Sequence, residues 1–92
     1  MASSSEAFEK LSVWKNSKTW LNVIVIERGQ KAKEFFLRIA GLDEEQSMIG
    51  VVGEAMHSFA QFDVGESQFS VEPKRLVVSR EDIEWLIFEE ED

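Results

Sequence analysis

Residues 19–28 read Thr-Trp-Leu-Asn-Val-Ile-Val-Ile-Glu-Arg, and this stretch decides the fold class. β-Branched and aromatic side chains fill it, which favours a β-strand over a helix. Because side chains alternate along a strand, its apolar residues fall on both faces, with Trp20, Ile24 and Ile26 on one and Leu21, Val23 and Val25 on the other. A strand that is apolar on both faces is expected inside a sheet or beneath a helix.

Strand signals continue from this stretch to the end of the chain. After a turn at Gly29-Gln30, further strands are predicted over residues 33–42, 47–52, 57–64, 67–71 and 76–78. Polar or glycine-bearing turns separate them, residues 43–46 among these, and Gly50 is predicted to mark a bulge or bend. A turn at residues 79–82 and a final strand over residues 83–88 are favoured over a helix, although Ile83, Leu86 and Ile87 also have helical spacing.

The N-terminal segment has a different pattern. Ser3 and Glu6 have the spacing of a capping box, and Phe8, Leu11 and Trp14 follow at intervals of three, so residues 4–15 are predicted to form a helix. The whole chain is therefore predicted to be mainly β: one domain over residues 1–92, in which the helix precedes a small, strongly bent antiparallel barrel of five to six strands at residues 19–88, with an acidic tail at residues 89–92.

Composition limits the classes of function. The 92 residues carry 18 acidic and 10 basic side chains, a formal charge of -8, which makes nucleic acid an unfavourable partner. Charge is unevenly placed: residues 1–40 hold seven basic and four acidic side chains, whereas residues 41–92 hold three and fourteen. The acidic half is either a solvated surface or a docking surface for a basic partner.

The location of the protein is predicted from the absence of targeting signals. No apolar run approaches the roughly 20 residues of a spanning helix, and residues 1–10 are polar and acidic, unlike a secretory signal. We therefore expect a cytoplasmic protein that does not enter membranes.

The sequence predicts no catalytic residue, metal ligand or cofactor site. Carboxylates are placed in predicted turns and in the tail, where their pKa values stay ordinary, and there is no Cys. His57 is the only imidazole, for which a structural or exposed role is expected. Neither a nucleophile elbow nor a phosphate-binding glycine loop is present. We therefore expect a protein that is not an enzyme.

Two small basic groups are candidate anion or ligand sites. Arg28, Lys31 and Lys33 surround the first predicted strand turn, and Lys74 and Arg75 form a second pair. Cations close together can hold a phosphate or an acidic peptide. The alternative is a solvated turn beside an edge strand, where Lys side chains discourage aggregation between sheets.

Residues 39–47, Ile-Ala-Gly-Leu-Asp-Glu-Glu-Gln-Ser, resemble the end of the first motif of the Sm-like proteins. Ile39, Leu42 and Asp43 match that motif, and Arg75 before an apolar strand resembles the second motif. The resemblance covers residues 4–78 and implies a five-stranded, strongly bent barrel of the SH3/Sm-like kind behind an N-terminal helix. It also implies assembly into rings by pairing of strand edges.

The sequence departs from the family where the family builds its RNA pocket. Ser47 and Leu76 replace an Asn and a Gly, and residues 35–37 fill the stretch where the family has a Gly. The resemblance therefore implies the barrel and the ring but not RNA binding. A second barrel family, the PilZ domains, shares only Asp63 with this chain.

These observations favour a small-barrel module that works by assembly or by binding protein, with a homo-oligomer formed through strand edges and a protein partner as expected partners. The alternative is binding of a ligand or nucleic acid (RNA or a cyclic dinucleotide) through the basic turn.

Overall fold

The computed structural model describes residues 3–45, 48–54 and 60–90. Within them the chain forms one helix followed by eight strands: α1 (Ser4–Ser17), β1 (Leu21–Glu27), β2 (Gln30–Leu37), β3 (Ile39–Glu45), β4 (Met48–Gly53), β5 (Ala60–Asp63), β6 (Gln68–Glu72), β7 (Arg75–Arg80) and β8 (Ile83–Glu89). The prediction of a mainly β chain behind an N-terminal helix is confirmed. The predicted number of strands, five to six, is too low.

Helix α1 begins at the predicted residue, Ser4, and ends at Ser17, two residues later than predicted. The Ser3 hydroxyl accepts a hydrogen bond from the Glu6 N–H at 3.2 Å, which caps the first turn. Lys18 follows as the C-cap residue and adopts the left-handed conformation. Leu11 and Trp14 are buried with Ala7, so the apolar face packs into the core.

The strands form two antiparallel sheets. The larger has the order β2-β1-β8-β7-β6 and the smaller the order β3-β4-β5. Their hydrogen bonding does not close into a barrel within the described residues. β1 lies between β2 and β8, as predicted for a strand that is apolar on both faces. The favoured prediction of a strand at the C-terminal end is also confirmed, because β8 pairs with both β1 and β7.

The first hairpin is set by its turn. Arg28 and Gly29 both have positive φ, 52° and 80°, as a two-residue type I′ connection requires. Gln30, which was predicted to be part of the turn, pairs with Glu27 as the first residue of β2.

The predicted strand over residues 33–42 is wrong in one respect, because the structure divides it between the two sheets. β2 ends at Leu37, and β3 begins at Ile39 in the other sheet. Both residues are buried. The alternation of side chains therefore continues through a sheet corner at Arg38, and periodicity alone could not reveal the break.

The predicted turn at residues 43–46 and the bulge at Gly50 are corrected as well. Asp43 belongs to β3 and pairs regularly with Gly50 of β4. The irregularity lies instead between Ile39 and Gly41. Carboxylates at residues 43–45 stay in a strand because their side chains are exposed to water. Gln46, the last residue of the predicted turn, lies outside the described residues.

One core fills the space between the two sheets. It contains inward-facing residues of the larger sheet, of the smaller sheet and of α1, among them Leu11, Val23, Val51, Leu76 and Ile87. Helix α1 lies against β3 and β6, which are edge strands of different sheets. The helix thus covers one opening between them. No helix in the described ranges is long and apolar enough to cross a membrane.

The packing of α1 gives the first testable prediction. We expect Leu11→Ala to lower the free energy of unfolding by about 2–5 kcal/mol, because it leaves a cavity beneath the helix. Val13, which is 55% exposed on the same helix, supplies the control. Val13→Ala is expected to change stability by about 0.5 kcal/mol or less. Urea unfolding measures both, and equal losses would contradict the docking of α1 on this core.

Candidate functional site

The first basic group surrounds the hairpin turn between β1 and β2. Arg28 lies in the turn with an 86% exposed side chain, and its Nε is 3.5 Å from a carboxylate oxygen of Asp82. Lys31 Nζ is 3.1 Å from the Glu34 carboxylate. Lys33 is exposed on β2. Two of the three cations therefore lie beside an acid, which weakens the field that they offer to an anion.

The second basic pair lies at the opposite end of the same sheet. Arg75 is in register with Phe88 near the end of β8, whereas the first hairpin turn adjoins Ile83 at its beginning. The strand between these two positions is roughly 17 Å long, at about 3.3 Å per residue. The structure therefore does not bring Lys74 and Arg75 together with the first group, and no joint anion site is formed. Binding of an anion by either group alone stays a prediction.

Arg75 has an acidic partner at the turn between β6 and β7. Its guanidinium donates a hydrogen bond to the Glu72 carboxylate. This hydrogen bond, aided by the opposite charges and partly offset by desolvation, holds the pKa of Glu72 below its ordinary value. The same bond raises the pKa of Arg75. Both groups are exposed, so the pair serves to order the turn more than to stabilise the fold.

The second testable prediction concerns this pair. We expect Arg75→Gln to return the pKa of Glu72 to its ordinary value, because the cationic donor is lost. A depressed carboxylate pKa contributes stability above the unfolded-state value, and the contribution is lost as the pH falls through the folded-state pKa. The effect of the pair on stability should therefore disappear in acid. An NMR titration of the Glu72 carboxyl in both proteins measures the shift, and equal titration midpoints would contradict the assignment.

The five-stranded sheet has a second apolar face, which points away from the core. The strand registers place alternate residues of β1, β2, β7 and β8 on this outer face. Its apolar side chains are Trp20, Ile24, Ile26, Phe36, Val77, Leu86 and Phe88. None of them belongs to the buried cluster that joins the two sheets or to the side chains packed against that cluster.

Two aromatic rings mark the β2 side of the outer face. Trp20 is 44% exposed and Phe36 is 57% exposed. The rings stack with centroids 4.9 Å apart and planes 7° from parallel. The guanidinium of Arg38 lies 4.6 Å from the centre of the Trp20 ring. These contacts hold the rings in place while leaving much of their surface open to water.

A groove of about 550 Å³ continues the outer face toward β7. Leu86 and Phe88 provide its apolar wall, and charged residues of both signs border it, namely Lys74, Arg75, Glu89 and Glu90. Phe88 is in register with Asn22 on one side and with Arg75 on the other. The groove and the two exposed rings therefore belong to one continuous surface.

Carboxylates lie at both ends of β8 on the outer face. Glu84 is exposed near the beginning of the strand, and Glu90 follows its end, where it accepts a hydrogen bond from the Asn22 amide. Within the described part of the chain, neither acid has an ion-pair partner. They are the acidic groups that remain available to a ligand on this face.

The sequence did not indicate the outer face as a site, although its alternation correctly placed Trp20, Ile24 and Ile26 on one side of β1. A strand that is apolar on both faces was expected to be covered on both. In the described structure, the core lies on the opposite face of β1. The signal was therefore present in the two-sided apolar pattern, but only the tertiary arrangement shows which side lacks a cover.

The described residues offer little for catalysis. No group of three His, Cys, Asp or Glu side chains in the described ranges could hold a metal ion. Asp43 and Glu45 line a groove of about 230 Å³ beside Gln61, but they are exposed carboxylates on a strand. His57 lies outside the described residues.

Comparison with known proteins found no matching protein-family model, no matching curated protein and no matching solved structure.

Proposed function

We propose that the protein is a non-enzymatic binding module that takes up another polypeptide on the outer face of its five-stranded sheet. The observation that carries the proposal is the exposure of two stacked aromatic rings, Trp20 and Phe36, beside a continuous apolar surface. An antiparallel sheet ordinarily turns one apolar face to the core and one polar face to water. A second apolar face is a feature of interaction surfaces.

The side chains on this face suit protein recognition. Aromatic residues are enriched at the centres of interfaces, where they bury a large area at low conformational cost. The stack of Phe36 on Trp20, with Arg38 against the indole, preorganises the rings before a partner arrives. Preorganisation lowers the entropy lost on binding and therefore favours affinity.

The proposal includes an architecture. We take the two sheets as the halves of a strongly bent, partly open antiparallel barrel of the SH3/Sm-like kind, in a cytoplasmic protein. The sharp corner between β2 and β3 and the placement of α1 across one opening support it. Leu76, which stands where the Sm-like family has a Gly, is completely buried and serves the core. The proposal therefore carries over the barrel without the RNA pocket.

The third testable prediction follows from the outer face. Peptides selected from a random library against the protein are expected to shift the amide resonances of β1 and β8. We expect Phe36→Ser to weaken their binding about tenfold or more, which corresponds to about 1.4 kcal/mol. Val13→Ser, a matched change of an exposed apolar residue on α1, should leave the affinity unchanged. Binders that ignore the Phe36 substitution would refute the proposed surface.

Assembly of copies through strand edges is the second form of the proposal. β2 is one of the two edge strands of the larger sheet among the described strands, and its residues 30–34 are exposed. Suppose that the β2 strands of two copies pair antiparallel about a two-fold axis. An axis at Lys33 would place Lys33 against Lys33, and an axis at Glu34 would place Glu34 against Glu34. Both arrangements bring like charges together, which is unfavourable. A ring in which β2 meets a different edge of the next copy avoids this conflict.

The fourth testable prediction tests this second form. We expect a ring to give a discrete mass of several chains by light scattering behind a sizing column, unchanged on dilution. A mass near 10.6 kDa, that of one chain, would rule out assembly through strand edges and leave binding of a different polypeptide as the proposed function.

A further inference from the structure

We propose that the outer face binds an amphipathic α-helix of three to four turns that carries basic residues near both ends. This inference rests on the proposed protein-binding function and names the class of partner. The surface is defined by the apolar residues of the outer face and by the two carboxylates, Glu84 and Glu90, at the ends of β8.

Backbone hydrogen bonding favours a helix on this face over an extended segment. A peptide that adds to a sheet edge uses the sheet's own donors and acceptors. A peptide on a sheet face cannot do so, because the strands beneath it already bond to one another. In β1, β8 and β7 this pairing is regular across the whole outer face. A segment bound there must satisfy its own backbone, which a helix does.

The width of the apolar row fits one helix. Ile24, Leu86 and Val77 lie in register on three neighbouring strands. At about 4.8 Å between strands, this row is about 10 Å across, which is close to the diameter of one helix. On the β2 side, the register partner of Ile24 is Glu34, and the exposed Phe36 ring lies two positions along β2, opposite Asn22, where it borders the path of such a helix.

Two carboxylates set the length and the charge of the helix. Glu84 and Glu90 are six positions apart on one strand, a separation of roughly 20 Å. A helix rises about 1.5 Å per residue and makes one turn in about 3.6 residues, so basic side chains about 14 positions apart share one side of the helix and would reach both carboxylates. Desolvation by the helix would strengthen these contacts, because the apolar face between them excludes water. The spacing of the acids thus sets the length of the partner.

The same charges disfavour the competing occupants. Carboxylates outnumber cations on the outer face and its groove, with Glu34, Glu72, Glu84, Glu89 and Glu90 against Lys31, Arg38, Lys74 and Arg75. A second copy docked face to face would bring these acids against their own counterparts, in a chain of net charge -8. Phosphates of a nucleic acid would meet the same repulsion.

The probe for the test is a synthetic 18-residue peptide of Leu, Ala and Lys. Its Leu residues form one helical stripe, and single Lys residues stand 14 positions apart, on one side of the helix beside that stripe. The first control peptide has Glu in place of both Lys residues, and the second rearranges the same composition into an alternating, strand-like pattern. Titration calorimetry at low and high salt gives the affinities, and amide shifts of the labelled protein locate the contact.

The fifth testable prediction concerns the relative affinities of these peptides. The basic helical peptide should bind at least tenfold more tightly than either control peptide, and Phe36→Ser should weaken it about tenfold or more. Glu84→Lys should weaken it about fivefold and reduce the salt dependence, because one charge contact becomes repulsive. Glu44→Lys makes the same charge change at an exposed site on the smaller sheet and should have no effect.

The contrary outcomes separate the inference from the proposed function. Equal or tighter binding of the acidic or strand-like peptide to the outer face would overturn the basic-helix inference and leave protein binding standing. Failure of all three peptides would also overturn it, and the library selection would then decide the function. A dimer that Phe36→Ser converts to monomer would identify a second copy as the occupant and would overturn the inference as well.

Discussion

The corner at Arg38 is the constraint on which the rest of the structure depends. Leu37 and Ile39 are both buried, although they lie in different sheets. Between them, the Arg38 guanidinium donates to one Glu54 oxygen from Nε and Nη2 at 3.1 and 2.9 Å, and the Glu54 N–H donates to the Arg38 carbonyl at 3.0 Å. These contacts tie the end of β4 to the corner. Because the chain bends here, the smaller sheet faces the larger one and a single core forms between them.

Closing the core on one side leaves the other side of the larger sheet uncovered in the described structure. β1 and β8 are apolar on both faces, but the smaller sheet and α1 bury only the inner one. The outer face keeps half-buried aliphatic residues because neighbouring side chains shield one another. Its aromatic rings stay more exposed. A sheet face that is only solvated does not need apolar and aromatic side chains. Binding therefore explains the sequence of the outer face better than folding does.

Tertiary structure also redistributes charge. Along the chain, basic residues gather in the first 40 positions and acidic residues in the rest. In the fold, acidic β8 lies between β1 and β7, so that Arg28 adjoins Asp82 and the carboxylates of β8 border the apolar face. The basic turn that the sequence favours as an anion site is thereby partly neutralised. Lys31 pairs with Glu34 on its own strand, but the partner of Arg28 is Asp82, in the turn before β8, and the sequence could not foresee a partner so far along the chain.

The sequence by itself determined the helix, its cap, most strand positions and the residues of β1 that point each way. These features follow from local propensity and from the two- and 3.6-residue periods, which any segment expresses on its own. Only the tertiary structure decided that residues 33–42 cross from one sheet to the other, that the two basic groups lie at opposite ends of a sheet, and that Trp20 and Phe36 stack in the open. These depend on pairing between distant strands, and the alternation of side chains is the same whether a strand runs straight, turns a corner or faces water.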